Sequence, residues 1–201
     1  MKRVVVLLSG LAAAVAAVFA ASFLFPRLAA RYLLPLFYRQ QRPTRAGRQL
    51  NAAWSWLVST GVLPEKWPGE PVCGPASLEV VGRRSGKPRT NMVTWVEYDG
   101  GRYFVSMLGA DSDWVRNIRA AGGEAVLRRR GRNSVRLEQV PVEKRAPIIR
   151  AWYQRTWQST LHHIGLEPNA DIAEFERIAP RHPVYPIVPQ PKEEVMVQML
   201  T

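Results

Sequence analysis

The hydrophobic pattern of this chain begins as one long apolar run and only later settles into helical spacing and strand alternation. Val4 to Phe25 (VVVLLSGLAAAVAAVFAASFLF) holds 22 residues without a charge. At ~1.5 Å per residue that is about enough helix to cross a hydrocarbon layer of roughly 30 Å. Pro26 ends it. A cleaved signal peptide is the rival, with Lys2-Arg3 as its basic start and the small residues from Ala17 to Ser22 as its cleavage site. The run is longer than the usual apolar region of ~7–15 residues, and Phe23-Leu24-Phe25 carries it past the small residues, so an uncleaved transmembrane helix is expected. Leu28 to Tyr38, with its arginines and aromatics, is predicted to lie along the interface, and residues 39–48 (RQQRPTRAGR) read as a polar linker.

Beyond the linker the periods shorten. Gln49 to Thr60 has helical spacing through Leu50, Trp54 and Leu57, with Gly61 as its stop. A proline-rich loop fills 62–75. Leu78 to Val81 predicts a strand, residues 82–89 a turn, Asn91 to Tyr98 a strand, and Asp99-Gly100 a hairpin into the strand Arg102 to Leu108. Asp111 to Ala121 predicts a helix with Trp114, Val115 and Ile118 on one side and Gly122-Gly123 after it. Glu124 to Arg130 and Asn133 to Val140 predict a strand pair around Gly131. Val142 to about His162 and Asn169 to Ala179 predict helices. Pro183 to Val188 reads as an edge or final strand, because its prolines cannot donate within a central one. A meander of five or six strands interrupted by helices is an α+β domain of the small-barrel kind. The expected organisation is an anchor over 1–26, an interfacial helix and linker over 27–75, and a barrel over 76–201.

Charge sharpens the first part of this picture. The chain carries a net +12, and residues 1–50 contribute eight of those charges with no Asp or Glu at all, leaving four for the other 151 residues. A nucleic-acid-binding domain would concentrate the excess on its folded part; here it flanks an apolar run, as expected beside a membrane surface. Arg27, Arg31, Arg39 and Arg42 follow the run, against Lys2 and Arg3 before it. The positive-inside rule then places the main domain on the cytoplasmic side. A single cysteine, Cys73, excludes an internal disulfide, and with three scattered histidines it leaves no zinc constellation.

Candidate chemistry centres on residues 82–89, GRRSGKPR. A phosphate-binding P-loop needs four residues between its glycines, then Lys and Ser or Thr opening a helix. Gly82 and Gly86 have three between them, and Lys87 is followed by Pro88 and a strand. No dinucleotide fingerprint or nucleophile elbow is present, and His162-His163 sit near a helix end where solvated histidines are common. What remains is an anion site without metal: Gly86 permits a tight turn whose amides can face an anion, flanked by Arg83, Arg84, Lys87 and Arg89. Strand alternation lets about two of the four converge. Four solvated hairpin charges are the alternative on charge alone.

The wider pattern resembles the deazaflavin (F420)-dependent nitroreductase and quinone reductase family. It comprises GRRSGKPRTN, a hairpin ending in Ser106, the helix start Asp-Trp-Val-Arg-Asn, and then a basic strand pair, over roughly residues 75–190. The resemblance implies a split β-barrel, FMN-binding-like, with flanking helices. It implies that Arg83, Arg84, Ser85, Lys87, Arg89 and Asn91 grip the phosphate and acidic tail of coenzyme F420, arginine forks being suited to both. It also implies that Ser106, Trp114 and Asn117 line the deazaflavin and ribityl part. The chain departs from the family at Met92, where proline is usual, and in the shortened glycine-rich segment Leu108-Gly109-Ala110-Asp111. Tyr185, Tyr153 and Trp157 are substrate-pocket candidates by composition.

The resulting expectation is a membrane-anchored oxidoreductase moving a hydride from reduced F420 to a quinone or nitro-type acceptor, with Tyr185 or Ser106 protonating or polarising that acceptor. FMN in place of F420, in the same barrel class, is one alternative. A non-catalytic, membrane-tethered protein binding a cofactor or lipid is the other. Expected partners are the coenzyme, the acceptor and membrane lipid, without nucleic acid; barrels of this class often pair, which adds a homodimer.

Overall fold

The computed structural model describes residues 34–39, 42–67, 69, 72–167 and 169–190, with the side chains of 34, 35, 39 and 157–163 left aside. The predicted span 4–25, and with it the orientation across a membrane, lies outside these residues, as do the side chains of Trp157, His162 and His163. Among the described residues no helix is long and apolar enough to cross a membrane.

The first long helix, α1 (Arg45–Thr60), starts four residues before its predicted beginning because Thr44 caps it: the Thr44 hydroxyl accepts from the Gly47 amide. Gly61, at φ +72°, closes the other end. The sheet follows as β1 (Cys73–Val81), β2 (Pro88–Tyr98) and β3 (Gly101–Val105), then α2 (Asp113–Ala120), β4 (Glu124–Arg128) and β5 (Arg132–Arg136). A 3-10 turn at Val142–Lys144 leads into α3 (Arg145–Ile164), and α4 (Ile172–Ile178) precedes β6 (Val184–Pro186) and β7 (Val188–Pro189). The sequence placed β1 too late: its first residues include Gly74 and Pro75, which depress strand propensity, yet they pair with Trp95 and Thr94.

All seven strands pair antiparallel in the order β6-β3-β2-β1-β4-β5-β7. The two ends of that order, β6 and β7, are separated in the chain only by Ile187. The segment predicted as a lone edge strand therefore pairs with both edges: Val184 to Pro186 lie against β3, Val188 and Pro189 against β5. The sheet curls onto itself into a barrel-like form, which removes the exposed edges that antiparallel sheets must otherwise protect.

Period-two alternation sorts the core into two bodies. Val93 and Trp95 of β2, Phe104 of β3 and Tyr185 of β6 face inward, where they meet Leu78, Val80, Val135 and, from α2, Trp114, Val115 and Ile118. Their neighbours Val96, Val105 and Val184 face outward onto Ile149, Trp152 and Tyr153 of α3 and Phe175 of α4. On another stretch of the outer face α1 docks through a Ser55–Ser77 hydroxyl bond of 2.7 Å and through Asn51, which accepts from the Met92 amide at 3.2 Å. Most of the basic β4–β5 hairpin is spent on structure. Arg128 and Arg132 hold the buried Glu79 at 3.2 and 2.5 Å. The Arg130 amide donates to the Ser59 carbonyl and its guanidinium to that of Gly61, where the dipole at the end of α1 favours a cation.

The outer core gives a pH prediction. Tyr153 is buried and donates its hydroxyl to the Leu166 carbonyl. Burial first, and nearby Glu167 second, push the phenol up to about 12. A group whose folded pKa is raised stabilises the fold fully below its unfolded pKa and loses that contribution as pH climbs through the folded value. Denaturation midpoints should therefore fall between roughly pH 10 and 12, and Tyr153→Phe should flatten part of that decline.

Candidate functional site

The site is built where the β1–β2 turn meets the start of α2. Gly82 accepts from the amides of Ser85 and Gly86 at 3.1 and 2.8 Å, and its own amide donates to the Lys87 carbonyl at 2.9 Å. Gly86 has φ +62°, a left-handed conformation that glycine adopts without strain. A Cβ on Gly82 would meet Ser85 Oγ at 2.9 Å and Arg89 Cγ at 3.1 Å, so the turn folds tightly over that position.

Arg83 is fixed and its neighbours are not. Its amide and Nη1 both donate to Asn117 Oδ1, at 3.2 and 2.9 Å, and its Nη2 pairs with Asp113 at 3.0 Å. Arg84, Ser85, Lys87 and Arg89 are exposed. Among the described residues no carboxylate lies within salt-bridge distance of Arg84, Lys87 or Arg89. The register sets Arg89 opposite Val80 and Asn91 opposite Leu78. Cross-strand partners share a face, so Arg89 and Asn91 sit on the inner face of the sheet, at the end bordered by α2.

Three further predicted residues lie in the packed interior beside this end. The Trp114 ring stands edge-on to Tyr185, with centroids 5.5 Å apart. Tyr185 is 1% exposed and its hydroxyl reaches Gln139 at 3.4 Å; burial, its largest influence, raises its pKa. The Ser106 hydroxyl is buried, donating to the Gly109 carbonyl at 2.7 Å with Ser112 Oγ at 3.0 Å. His182 Nδ1 lies 2.9 Å from the Ser106 carbonyl, and burial lowers its pKa. Tyr153 faces the other core, on the far side of the sheet.

The structure thus joins Arg83 to Asn117, places Arg89 and Asn91 on the adjoining inner face, and sets the Trp114 ring edge-on to Tyr185. Sequence reasoning missed Asp113, which holds the second arm of Arg83. Its signal was present: Asp113 and Asn117 are four apart on α2, hence on one face. It also missed His182 and Gln139, for which no local pattern exists. Asn117 is 5% exposed, so Asn117→Ala, which leaves the Arg83 amide without its acceptor, should cost about 1–3 kcal/mol in denaturant unfolding.

Residues 51–159 match the sequence model of the F420H(2)-dependent quinone reductase family. The chain belongs to that family. It is a deazaflavin-dependent oxidoreductase, and its coenzyme is F420, as the resemblance implied. No curated protein matches the chain. Among solved structures, one titled F420 reductase is 17% identical, with 66% of this chain and 94% of that one covered at a TM-score of 0.34. The heme storage protein HutZ of Vibrio cholerae is 10% identical, covering 59% and 82% at 0.38. General Stress Protein 26 of Bacillus anthracis is 12% identical, covering 68% and 88% at 0.38.

The residues present fit F420. Its phosphate and acidic tail call for unpaired cations, and the turn offers Arg84, Lys87 and Arg89 with no carboxylate among the described residues competing for them, beside an Arg83 already oriented by Asn117 and Asp113. Among the described residues no group of three or more His, Cys, Asp or Glu could hold a metal ion.

Proposed function

We propose that the protein reduces a quinone or nitro-type acceptor at the end of the barrel bordered by α2, and that Val4 to Phe25 holds it at a membrane with the main domain on the cytoplasmic side. The observation that carries the coenzyme end of this reading is the unpaired cation set on the β1–β2 turn. Arg84, Lys87 and Arg89 bind the phosphate and acidic tail, and Arg89 and Asn91 direct it along the inner face. Arg83, held through Asn117, keeps the turn and α2 in register. When bound, F420 supplies the hydride, so no side chain has to act as nucleophile or redox centre.

The two hydroxyls expected to act on the acceptor are both buried and already bonded. In this reading Tyr185 positions Trp114, and Ser106 fixes the loop that leads into α2. A quinone takes up a proton with the hydride, and solvent at the mouth supplies it. The membrane anchor favours the quinone over the nitro compound, since lipid-soluble quinones concentrate where the anchor holds the enzyme.

The test is steady-state turnover of the full chain in detergent with reduced F420, comparing a short-chain menaquinone analogue with a nitroaromatic of matched potential. The quinone should give the larger kcat/KM. Turnover with the nitro compound alone would assign the acceptor differently, and F420 binding without turnover of either would leave a carrier.

A further inference from the structure

A second ligand site, separate from the β1–β2 turn, lies near the start of β1. A cleft of ≈ 90 Å³ opens there between β1, β2, β3 and β4 and is floored by Ala76, Trp95, Phe104, Leu127 and Ile187. Ala76 stands six positions before Gly82 on β1, so about 20 Å of strand separates the cleft from the turn. Ligand pockets for drug-sized molecules are roughly 300–1,000 Å³. This cleft therefore excludes a deazaflavin and suits a single ring.

Its rim is cationic. Arg102 stacks over Trp95 at 4.4 Å and pairs with Glu65 at 3.0 Å. Arg128 is committed to Glu79. Arg129 is not fully committed: Nη2 donates to the Leu63 carbonyl at 3.0 Å, but Nη1 is buried with no partner among the described residues. A buried guanidinium nitrogen without an acceptor is costly, and folded proteins rarely leave one so. With Arg102 paired to Glu65 and Arg128 to Glu79, Arg129 is the rim cation left over, and beside an aromatic floor it makes a site for a flat apolar group carrying an oxyanion.

From this we infer that the cleft binds a compact aromatic carboxylate, with its ring on Trp95 and Phe104 and its carboxylate drawn to Arg129. Nothing in this assignment depends on hydride transfer or on the acceptor.

The full chain in detergent should be titrated with 4-fluorobenzoate and with neutral 4-fluorobenzyl alcohol, each followed by fluorine NMR. The acid should saturate, and the alcohol should bind at least about tenfold more weakly, since a charge-assisted pair is lost. Arg129→Gln should reduce the acid to the affinity of the alcohol. Ala76→Phe, which fills the cleft, should remove both, and F420 affinity should be unchanged in either variant. Equal binding of acid and alcohol, no saturation by the acid, or acid binding undiminished in Arg129→Gln would each overturn the assignment; a folded Ala76→Phe variant that still binds would do the same. If Ala76→Phe does not fold, Arg129→Gln decides alone.

Discussion

Arg89→Ala should weaken F420 binding by about 1.5–3 kcal/mol, or roughly 10- to 150-fold, while leaving stability within about 0.5 kcal/mol of the parent. Both halves follow from the surroundings of Arg89. It is exposed and unpaired within the described residues, so the fold loses little when it goes. It also lies opposite Val80 on the inner face, where a coenzyme phosphate and the turn amides would meet. Arg89→Lys keeps the charge but loses the planar fork, so its affinity should fall between the two. Arg136 is the control: it is equally basic but paired with Glu138 at 2.7 Å on β5, and Arg136→Ala should leave F420 affinity unchanged. Fluorescence titration of the coenzyme reads all four proteins.

Tyr185 carries the second large effect, and here the two substitutions should separate. Tyr185→Ala removes a fully buried ring that packs edge-on against Trp114 in the inner core. It should destabilise by about 3–5 kcal/mol. Tyr185→Phe keeps the ring and gives up only a long 3.4 Å bond to Gln139; it should cost no more than about 1.5 kcal/mol. If the hydroxyl only positions Trp114, kcat of the Phe variant stays near the parent. A loss of roughly 10²–10⁴-fold in kcat with F420 affinity intact would instead identify Tyr185 as the proton donor. Chemical denaturation and steady-state kinetics on the two variants distinguish these outcomes.

How much of this was legible in the sequence depended on whether the relevant signal was local. The β2–β3 hairpin was readable from Asp99-Gly100, and α2 from its apolar spacing and the glycines that end it. The turn between β1 and β2 was readable from Gly82 and Gly86. The pairing of Arg83 with Asn117 was not legible: the resemblance gave the two residues separate coenzyme contacts, and 34 residues separate them. The meander pointed to a small barrel, but its means of closure was not legible: Val184 to Pro189 looks like one proline-limited edge strand, and only tertiary pairing shows that it serves both β3 and β5. The arginines of the β4–β5 hairpin likewise give no sign of their acceptors, which are the buried Glu79 and the carbonyls that end α1. That the Ser106 and Tyr185 hydroxyls are buried was equally illegible, because a sequence does not report burial.

Selection of F420 by the arginine-rich turn can be read by titrating the full chain in detergent with F420 and, separately, with FMN under the same conditions. F420 binding should saturate, with FMN markedly weaker because it lacks the acidic tail that Arg84 and Lys87 are proposed to hold. Tight binding of FMN with no measurable binding of F420 would contradict it.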